Sequence, residues 1–387
     1  MPKGSLTVVI GNTPASRGAA VDELSRAHPD AVLMAVSVHN RDSRYPLVQR
    51  FTVGAHPGAI PSTPRGATGD PAVIVHQDLM ALRKAMGNPR VILALPDELD
   101  TASFVVELWR PRVGHSALED HYEPAPIVMG LDPGSFLIDL KCVHQAQPLW
   151  DGGNGAVRMT TAEIAARQVE AADCVFLLGT SGGQQGVDRA EVLVRHLNPA
   201  VALHVAESSG AVDVPADNST LLDAWRHRLE PIRVLRVHGA TGHDIGSFVW
   251  RTRRPVHPQR LADALGVVMF GVLRSRGHLW LCSRPEAVVL WRSAGPHLEL
   301  LESGHWLKED DISAWQTASA QRRTMASWFL HTRFGERRNE IAFTGALLDH
   351  CRIRGALDAA LLDDSELALG PQSWASVHDP LLFEADP

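Results

Sequence analysis

The residues best placed to do chemistry lie at the end of the first apolar run, Gly11-Asn-Thr-Pro-Ala-Ser-Arg-Gly18. A strand followed at once by a helix is where an α/β chain binds phosphate. Such a loop needs G-x-x-x-x-G-K-[ST]: glycines for close backbone approach, a lysine for the β- and γ-phosphates, and a hydroxyl for Mg²⁺. Gly11 is in place. Ser16 stands at the second glycine, Arg17 at the lysine and Gly18 at the hydroxyl, and Pro14 removes one backbone N–H from the cradle. Helix N-termini attract anions, and Arg17 is long enough to reach one. Without the hydroxyl, Mg²⁺ loses its protein ligand, and with it the charge neutralisation that phosphoryl transfer uses.

Other chemistries are thinner. His115, Glu119 and His121 lie close in sequence, as do His238, His243 and Asp244, but 19 histidines make some clustering expected. His257, before Pro258, reads as positioning a turn ahead of a helix. The four cysteines, Cys142, Cys174, Cys282 and Cys351, never form a C-x-x-C pair, which removes a disulfide scaffold and a local thiolate zinc site. Ser181, in Gly179-Thr-Ser-Gly-Gly183, is not a nucleophile elbow, and no H-E-x-x-H is present.

The elements that must position these residues alternate. Short apolar runs at Leu6–Ile10, Ala31–Val36, Ala72–Val75, Val91–Leu95, Ile127–Leu131, Cys174–Leu178 and Val201–Val205 read as buried strands. Between several of them lie helical patterns. One starts at a Thr160 or Thr161 cap and puts Ile164, Ala165, Gln168, Val169 and Ala172 on one face; another spans 188–197. This predicts an α/β fold: a mostly parallel sheet of P-loop NTPase type with helices on both faces. From Ile232 the texture changes. Strands are predicted at Ile232–Val237, Ser247–Arg251, His278–Cys282 and Ala287–Trp291, with helices after Pro258 and over Ala314–Phe329. A smaller α+β domain follows, so the expected organisation is 1–207, a linker at 208–231 with a helix near Thr220–Leu229, and 232–380.

Length agrees with two domains: 387 residues, 21% charged and 45% hydrophobic, net charge −7, the composition of a globular chain. No apolar run is long enough to span a bilayer, and Leu6–Ile10 is too short for a signal peptide, so the cytoplasm is the expected location. Charge is uneven. Between Arg251 and Arg338 lie 14 Lys and Arg against 8 Asp and Glu. That basic stretch in an acidic chain suggests a protein or ribosomal RNA partner rather than membrane or DNA. Trp and Arg are favoured interface anchors. Arg274, Arg276, Arg337 and Arg338, with Trp306 exposed after Gly304-His305, form the candidate partner patch.

A resemblance emerges along the C-terminal third. It is carried by Arg253-Arg-Pro-Val-His-Pro-Gln-Arg-Leu261, Gly271-Val-Leu-Arg-Ser-Arg-Gly-His-Leu-Trp280, Leu290-Trp-Arg-Ser-Ala-Gly295, Gly304-His-Trp306, Phe334-Gly-Glu-Arg-Arg-Asn-Glu-Ile341, Ala360-Leu-Leu-Asp-Asp-Ser-Glu366 and Asp379-Pro380. In this order the motifs resemble the C-terminal domain of CobW-type P-loop metallochaperones, and the N-terminal half follows the same frame more faintly. The resemblance implies a P-loop GTPase domain, GTP, and a Cys-x-Cys-Cys site for zinc or cobalt.

The chain departs from that family at each chemical point. Asp70, Ala72 and Val73 occupy the three cysteine positions ahead of Asp78-Leu79, and no soft-metal site can be built from them. Leu178-Gly-Thr-Ser181 stands where the guanine reader [NT]-K-x-D belongs, and Leu95-Pro-Asp-Glu98 replaces E-T-x-G. Asp132, in Gly130-Leu-Asp-Pro133, is the acid that matches. The joint losses resemble an actinobacterial branch of the family linked to zinc limitation. They imply a non-catalytic adaptor, a pseudo-GTPase with no required cofactor, that binds a protein or ribonucleoprotein such as the ribosome or a ribosome-associated factor. The alternatives are a divergent GTP-dependent zinc or cobalt metallochaperone, with GTP or ATP held at Gly11, Ser16, Arg17 and Gly18, and a passive zinc buffer using histidines.

Overall fold

The computed structural model describes residues 2–40, 43, 45–54, 65–111, 116–144, 146–151, 156–178, 183–205, 220–230, 232, 235–239, 243–308 and 310–381. They fall into two compact units, Met1–Leu229 and Glu230–Pro387.

The first unit is built on strands β1 (Gly4–Gly11), β2 (Val32–His39), β3 (Leu47–Val53), β4 (Arg65–Thr68), β5 (Arg90–Ala94), β6 (Tyr122–Pro124) and β7 (Val128–Leu131), a separate antiparallel pair β8 (Ala146–Trp150) and β9 (Ala156–Thr160), and then β10 (Cys174–Leu177) and β11 (Ala202–Val205). The main sheet runs β11-β10-β7-β1-β5-β2-β3-β4, with β6 beside the start of β1. From β11 to β2 every pairing is parallel; β3 and β4 close that edge antiparallel. The parallel strands are near-continuous apolar runs because both faces are covered. Val9, Ile92, Val128 and Phe176 pack under the helix Pro14–Ala27 through Ala20, Val21 and Leu24.

One expected strand is a helix. Ala72–Val75 belongs to Pro71–Met86, because Asp70 caps it, Pro71 pre-sets its first turn, and Ala72, Val75, Leu79 and Leu82 recur at helical spacing on the buried face. Of the expected linker, the described part is mostly the helix Leu221–Leu229. It is anchored to the first unit by Trp225 Nε1, which donates to Asp173 (2.9 Å), and by an Arg228–Asp173 ion pair.

The second unit is an antiparallel sheet of β12 (Ile245–Thr252), β13 (Val272–Leu279), β14 (Ala287–Ala294), β15 (His297–His305) and β16 (Asn339–Ala346), in the order β12-β16-β13-β14-β15. Trp250, Leu279, Trp291, Ile341 and Phe343 line one face and pack against the helices Pro258–Val268 and His350–Ala359 through Leu261, Ile353 and Leu357. Residues 235–237 of the expected strand Ile232–Val237 are not in a strand. The expected long helix at 314–329 is two, Ile312–Thr317 and Ala320–Phe329, broken where Ser319 caps the second. Among the described residues, no helix is long and apolar enough to cross a membrane.

Candidate functional site

In an open parallel sheet, ligands sit beyond the carboxyl ends of the strands, where the chain leaves in opposite directions. Here that place is the end of β1, flanked by β5 and β7. Gly11, Asn12, Thr13, Arg17, Asp97 and Asp132 converge on it.

The backbone there is closed. Only Asn12 and Thr13 separate the end of β1 from the helix, which starts at Pro14, inside the stretch that would form a phosphate loop. Thr13 and Ser16 make a reciprocal capping box: Ser16 N donates to Thr13 Oγ1 (3.0 Å) and Thr13 N to Ser16 Oγ (3.1 Å). Arg17 N donates to Thr13 O, so Ser16 N and Arg17 N are both already engaged within the helix start. The helix also presses on the sheet. A Cβ on Gly11 would lie 2.6 Å from Arg17 N, and one on Gly130 would lie 2.1 Å from Ser16 O. These glycines serve helix-on-strand contact. Gly18 lies on the exposed side, with open space around it.

The side chains close the rest. Asn12 clamps β7: Asp132 N donates to Asn12 Oδ1 (2.8 Å) and Asn12 Nδ2 to Asp132 O (3.2 Å). Asp132 caps the helix Pro133–Asp139 by accepting from Gly134 N and Ser135 Oγ. Arg17 Nη1 donates to Asp97 Oδ1 at 2.8 Å. Burial pushes the Asp97 carboxyl up against the pull of Arg17, and burial, with Asp97 and Asp132 nearby, also raises Asp139. Three carboxyl groups around one cation make this spot unfavourable for a polyphosphate.

The family's metal positions are likewise structural. Asp70 accepts from Ala72 N (2.8 Å) and Val73 N (3.2 Å), and Ala72 is buried. Asp78 holds Arg50 Nε at 2.7 Å, and Leu79 is core. Burial pushes the Cys174 thiol up to about 12 and the Cys282 thiol up to about 11, so both stay protonated. Among the described residues, no group of three His, Cys, Asp or Glu could hold a metal. His257 caps the helix Pro258–Val268 by accepting from Arg260 N. His115 and the segment Gly179–Ser181, with Ser181, lie outside the described residues.

The partner patch needs correction. Trp306 is 2% exposed, not exposed as its Gly304-His305 lead-in suggested. Gly304 turns at φ +85°, and the indole packs with Trp280, Val288 and Trp374. Arg274 is buried and donates to Ser293 O (3.1 Å). Arg338 is buried between Glu340 and the ring of Phe329, with its Cζ 3.9 Å from the ring centroid. Arg337 is half-buried against Trp280 and Pro285 O, and Arg276 is half-buried on β13. The five therefore do not form one exposed surface. What sequence reasoning missed is the exposure of two large apolar side chains on the two short helices, Ile312 and Trp328 (72% exposed), and a groove of about 610 Å³ lined by Ile312, Trp315, Gln316 and Arg323.

Comparison with known proteins agrees with this architecture. Residues 245–361, from the first residue of β12 to just past the helix His350–Ala359, match the family described as "Cobalamin synthesis protein cobW C-terminal domain". Zinc-regulated GTPase metalloprotein activator 1 of Dictyostelium discoideum is 30% identical over 212 residues, 52% of this chain and 44% of the relative. A zinc chaperone of Mycobacterium tuberculosis is 34% identical over 195 residues, 50% of this chain and 44% of the relative. The match thus spans under half the length of these curated relatives. The Zn(II)-bound YjiA GTPase from E. coli aligns over 94% of this chain and 100% of its own, at 12% identity and a TM-score of 0.38. The second unit thus carries a cobW C-terminal domain, and a mostly parallel α/β sheet precedes it.

Proposed function

We propose that this chain is a non-catalytic CobW-type adaptor of the cytoplasm that acts in zinc limitation by binding a protein or ribonucleoprotein, the ribosome or a ribosome-associated factor. One observation carries the non-catalytic reading. The helix after β1 starts at Pro14, and its own cap, Thr13 with Ser16, takes up Thr13 N and Ser16 N, two donors that a phosphate loop would offer. The Arg17–Asp97 pair and the acidic surroundings point the same way. The zinc link draws support from relatives described as a zinc-regulated GTPase activator and a zinc chaperone. The partner reading draws support from the exposed Trp328 and Ile312.

The test is equilibrium binding of GTP and ATP to the purified chain, with and without Mg²⁺, beside a relative that keeps the lysine loop. No binding up to millimolar nucleotide is expected. Micromolar, Mg²⁺-dependent binding overturns the reading in favour of a divergent GTP-dependent zinc or cobalt metallochaperone. Co-sedimentation with ribosomes from zinc-starved cells at moderate salt tests the partner; its absence removes the ribosomal form of the proposal.

A further inference from the structure

One end of the C-terminal sheet, where β12 and β13 begin and β16 finishes, is strained. His243 (φ +49°), Asp244 (φ +62°) and Leu347 (φ +54°) all have left-handed backbones there, three of the four such non-glycine residues among the described residues. Asp and His adopt this conformation fairly readily; in leucine it crowds Cβ against the following carbonyl oxygen. The turns around Leu347 hold it in place. Leu347 N donates to Asp244 O (2.8 Å) and Ala346 N to Gly271 O (3.1 Å). Gly271 turns at φ +76°, and a Cβ on Gly345 would lie 2.2 Å from Gly271 O.

The interior makes little use of this leucine. Leu347 is 75% exposed and Phe270 72% exposed. The two are neighbours. β13 and β16 pair Val272 with Gly345, and the Ala346–Gly271 bond carries that register one step further, so Phe270 and Leu347 are the next residues out. Single exposed apolar residues are common on any surface. Two large ones side by side, one of them on a backbone that disfavours it, point to a use outside the fold.

The surroundings define what fits them. Both side chains project from turns, so their complement is an apolar cleft. Two exposed carboxylates flank them: Asp244, whose carbonyl holds Leu347, and Asp349, which caps the helix His350–Ala359 by accepting from Arg352 N (2.9 Å). Neither has an ion pair among the described residues. Arg352 stands a turn further along that helix. Carboxylates beside the tip repel phosphate, which disfavours RNA and anionic lipid, and favour a rim of Lys or Arg.

We propose that Phe270 and Leu347 form a two-residue apolar anchor that inserts into an apolar cleft, rimmed by basic side chains, on a partner protein. This rests on the adaptor reading for the existence of a partner and names the part of the chain that holds it.

The experiment uses the full chain. Leu347→Asn puts at 347 a residue that accepts a left-handed backbone. Its unfolding midpoint is expected to rise by about 2–4 °C, because strain is relieved and little buried area is lost. A fall gives Leu347 a structural role and overturns the proposal. In zinc-starved cells, photo-reactive benzoylphenylalanine at position 270 is expected to give one discrete adduct with another protein, weakened about tenfold by Leu347→Asn. An adduct of twice the chain's mass assigns a second copy, and an RNA or lipid adduct assigns those partners; each overturns the proposal, as does no adduct or one indifferent to Leu347→Asn. Co-sedimentation with ribosomes but no adduct keeps the adaptor reading and removes the anchor. A Leu347-dependent adduct with a protein foreign to the ribosome keeps the anchor and removes the ribosomal partner.

Discussion

The end of β1 and the polar face of the C-terminal sheet both gather charged and polar side chains, and they treat them in opposite ways. At β1 every group is answered by another part of the chain: Thr13 by Ser16, Asn12 by Asp132, Arg17 by Asp97. At the sheet face the carboxylates are answered, but His278, Trp306 and Arg338 keep unmatched atoms. A family frame predicts the ligand at the first place. Hydrogen-bond accounting places the unmet demand at the second. Motif position thus marks where a family frame expects a ligand, while hydrogen-bond accounting marks which buried groups the fold leaves unanswered.

The comparison is broken most severely at Glu336. Glu336→Gln removes the charge that holds Arg322 and weakens the acceptor for Leu307 N. Stripping one partner from a buried pair costs about 3–5 kcal/mol. Urea unfolding of the second unit should therefore shift strongly, with the first unit unaffected. A loss below about 1 kcal/mol would mean that this network is solvated and the charge accounting fails.

The same face sets a pH dependence. His278 is held neutral in the fold, well below 6.5, by burial and by Arg338 and Arg322. Its contribution is fully present above pH 6.5 and is lost as pH falls, because the unfolded chain takes up the proton first. Unfolding midpoints between pH 7 and 5 should fall, and His278→Gln should flatten that slope. His28 and His257 are also lowered and remain in the variant, so the difference between the two curves is the measurement.

The closed end of β1 is probed at Gly130. Gly130→Ala drives a methyl to 2.1 Å from Ser16 O, a backbone atom that moves only with its helix. Overpacking of this kind costs about 1–3 kcal/mol. The effect should be larger than for any alanine placed at Gly18, where nothing lies within 4 Å.

How far these regions were legible in the sequence follows from the signals they carry. The parallel strands were readable because burial on both faces makes them apolar runs. Ala72–Val75 misled because one apolar turn of a helix looks like a short strand; the Asp70-Pro71 start signal was the better guide. Trp306 was misplaced because a glycine lead-in suggests a loop tip, whereas Gly304 turns the chain back under the sheet. The buried arginines were hidden by the ordinary rule that arginine stays outside. A signal was available: Glu336, Arg338 and Glu340 alternate in charge just ahead of and into β16. The closure of β1 was not legible, because Thr13 and Ser16 read equally well as loop residues until the helix start is known.

The smallest expected effect is the sharpest test of that last point. Arg17→Lys with Gly18→Thr restores the lysine and hydroxyl that a phosphate loop needs. If the site had lost only side chains, the double variant would regain Mg²⁺-dependent GTP binding. The fold argues against it. The helix still begins at Pro14, Thr13 and Ser16 still cap one another, and Gly11 still lies against Arg17's backbone nitrogen. A lysine at 17 meets the same Asp97, and a hydroxyl at 18 lands on the exposed side of the helix. Titration should give no binding by the double variant, with stability within about 1 kcal/mol of wild type. Recovered binding would show that the backbone at β1 opens readily, and that its difference from the C-terminal face lies in two side chains rather than in the path of the chain.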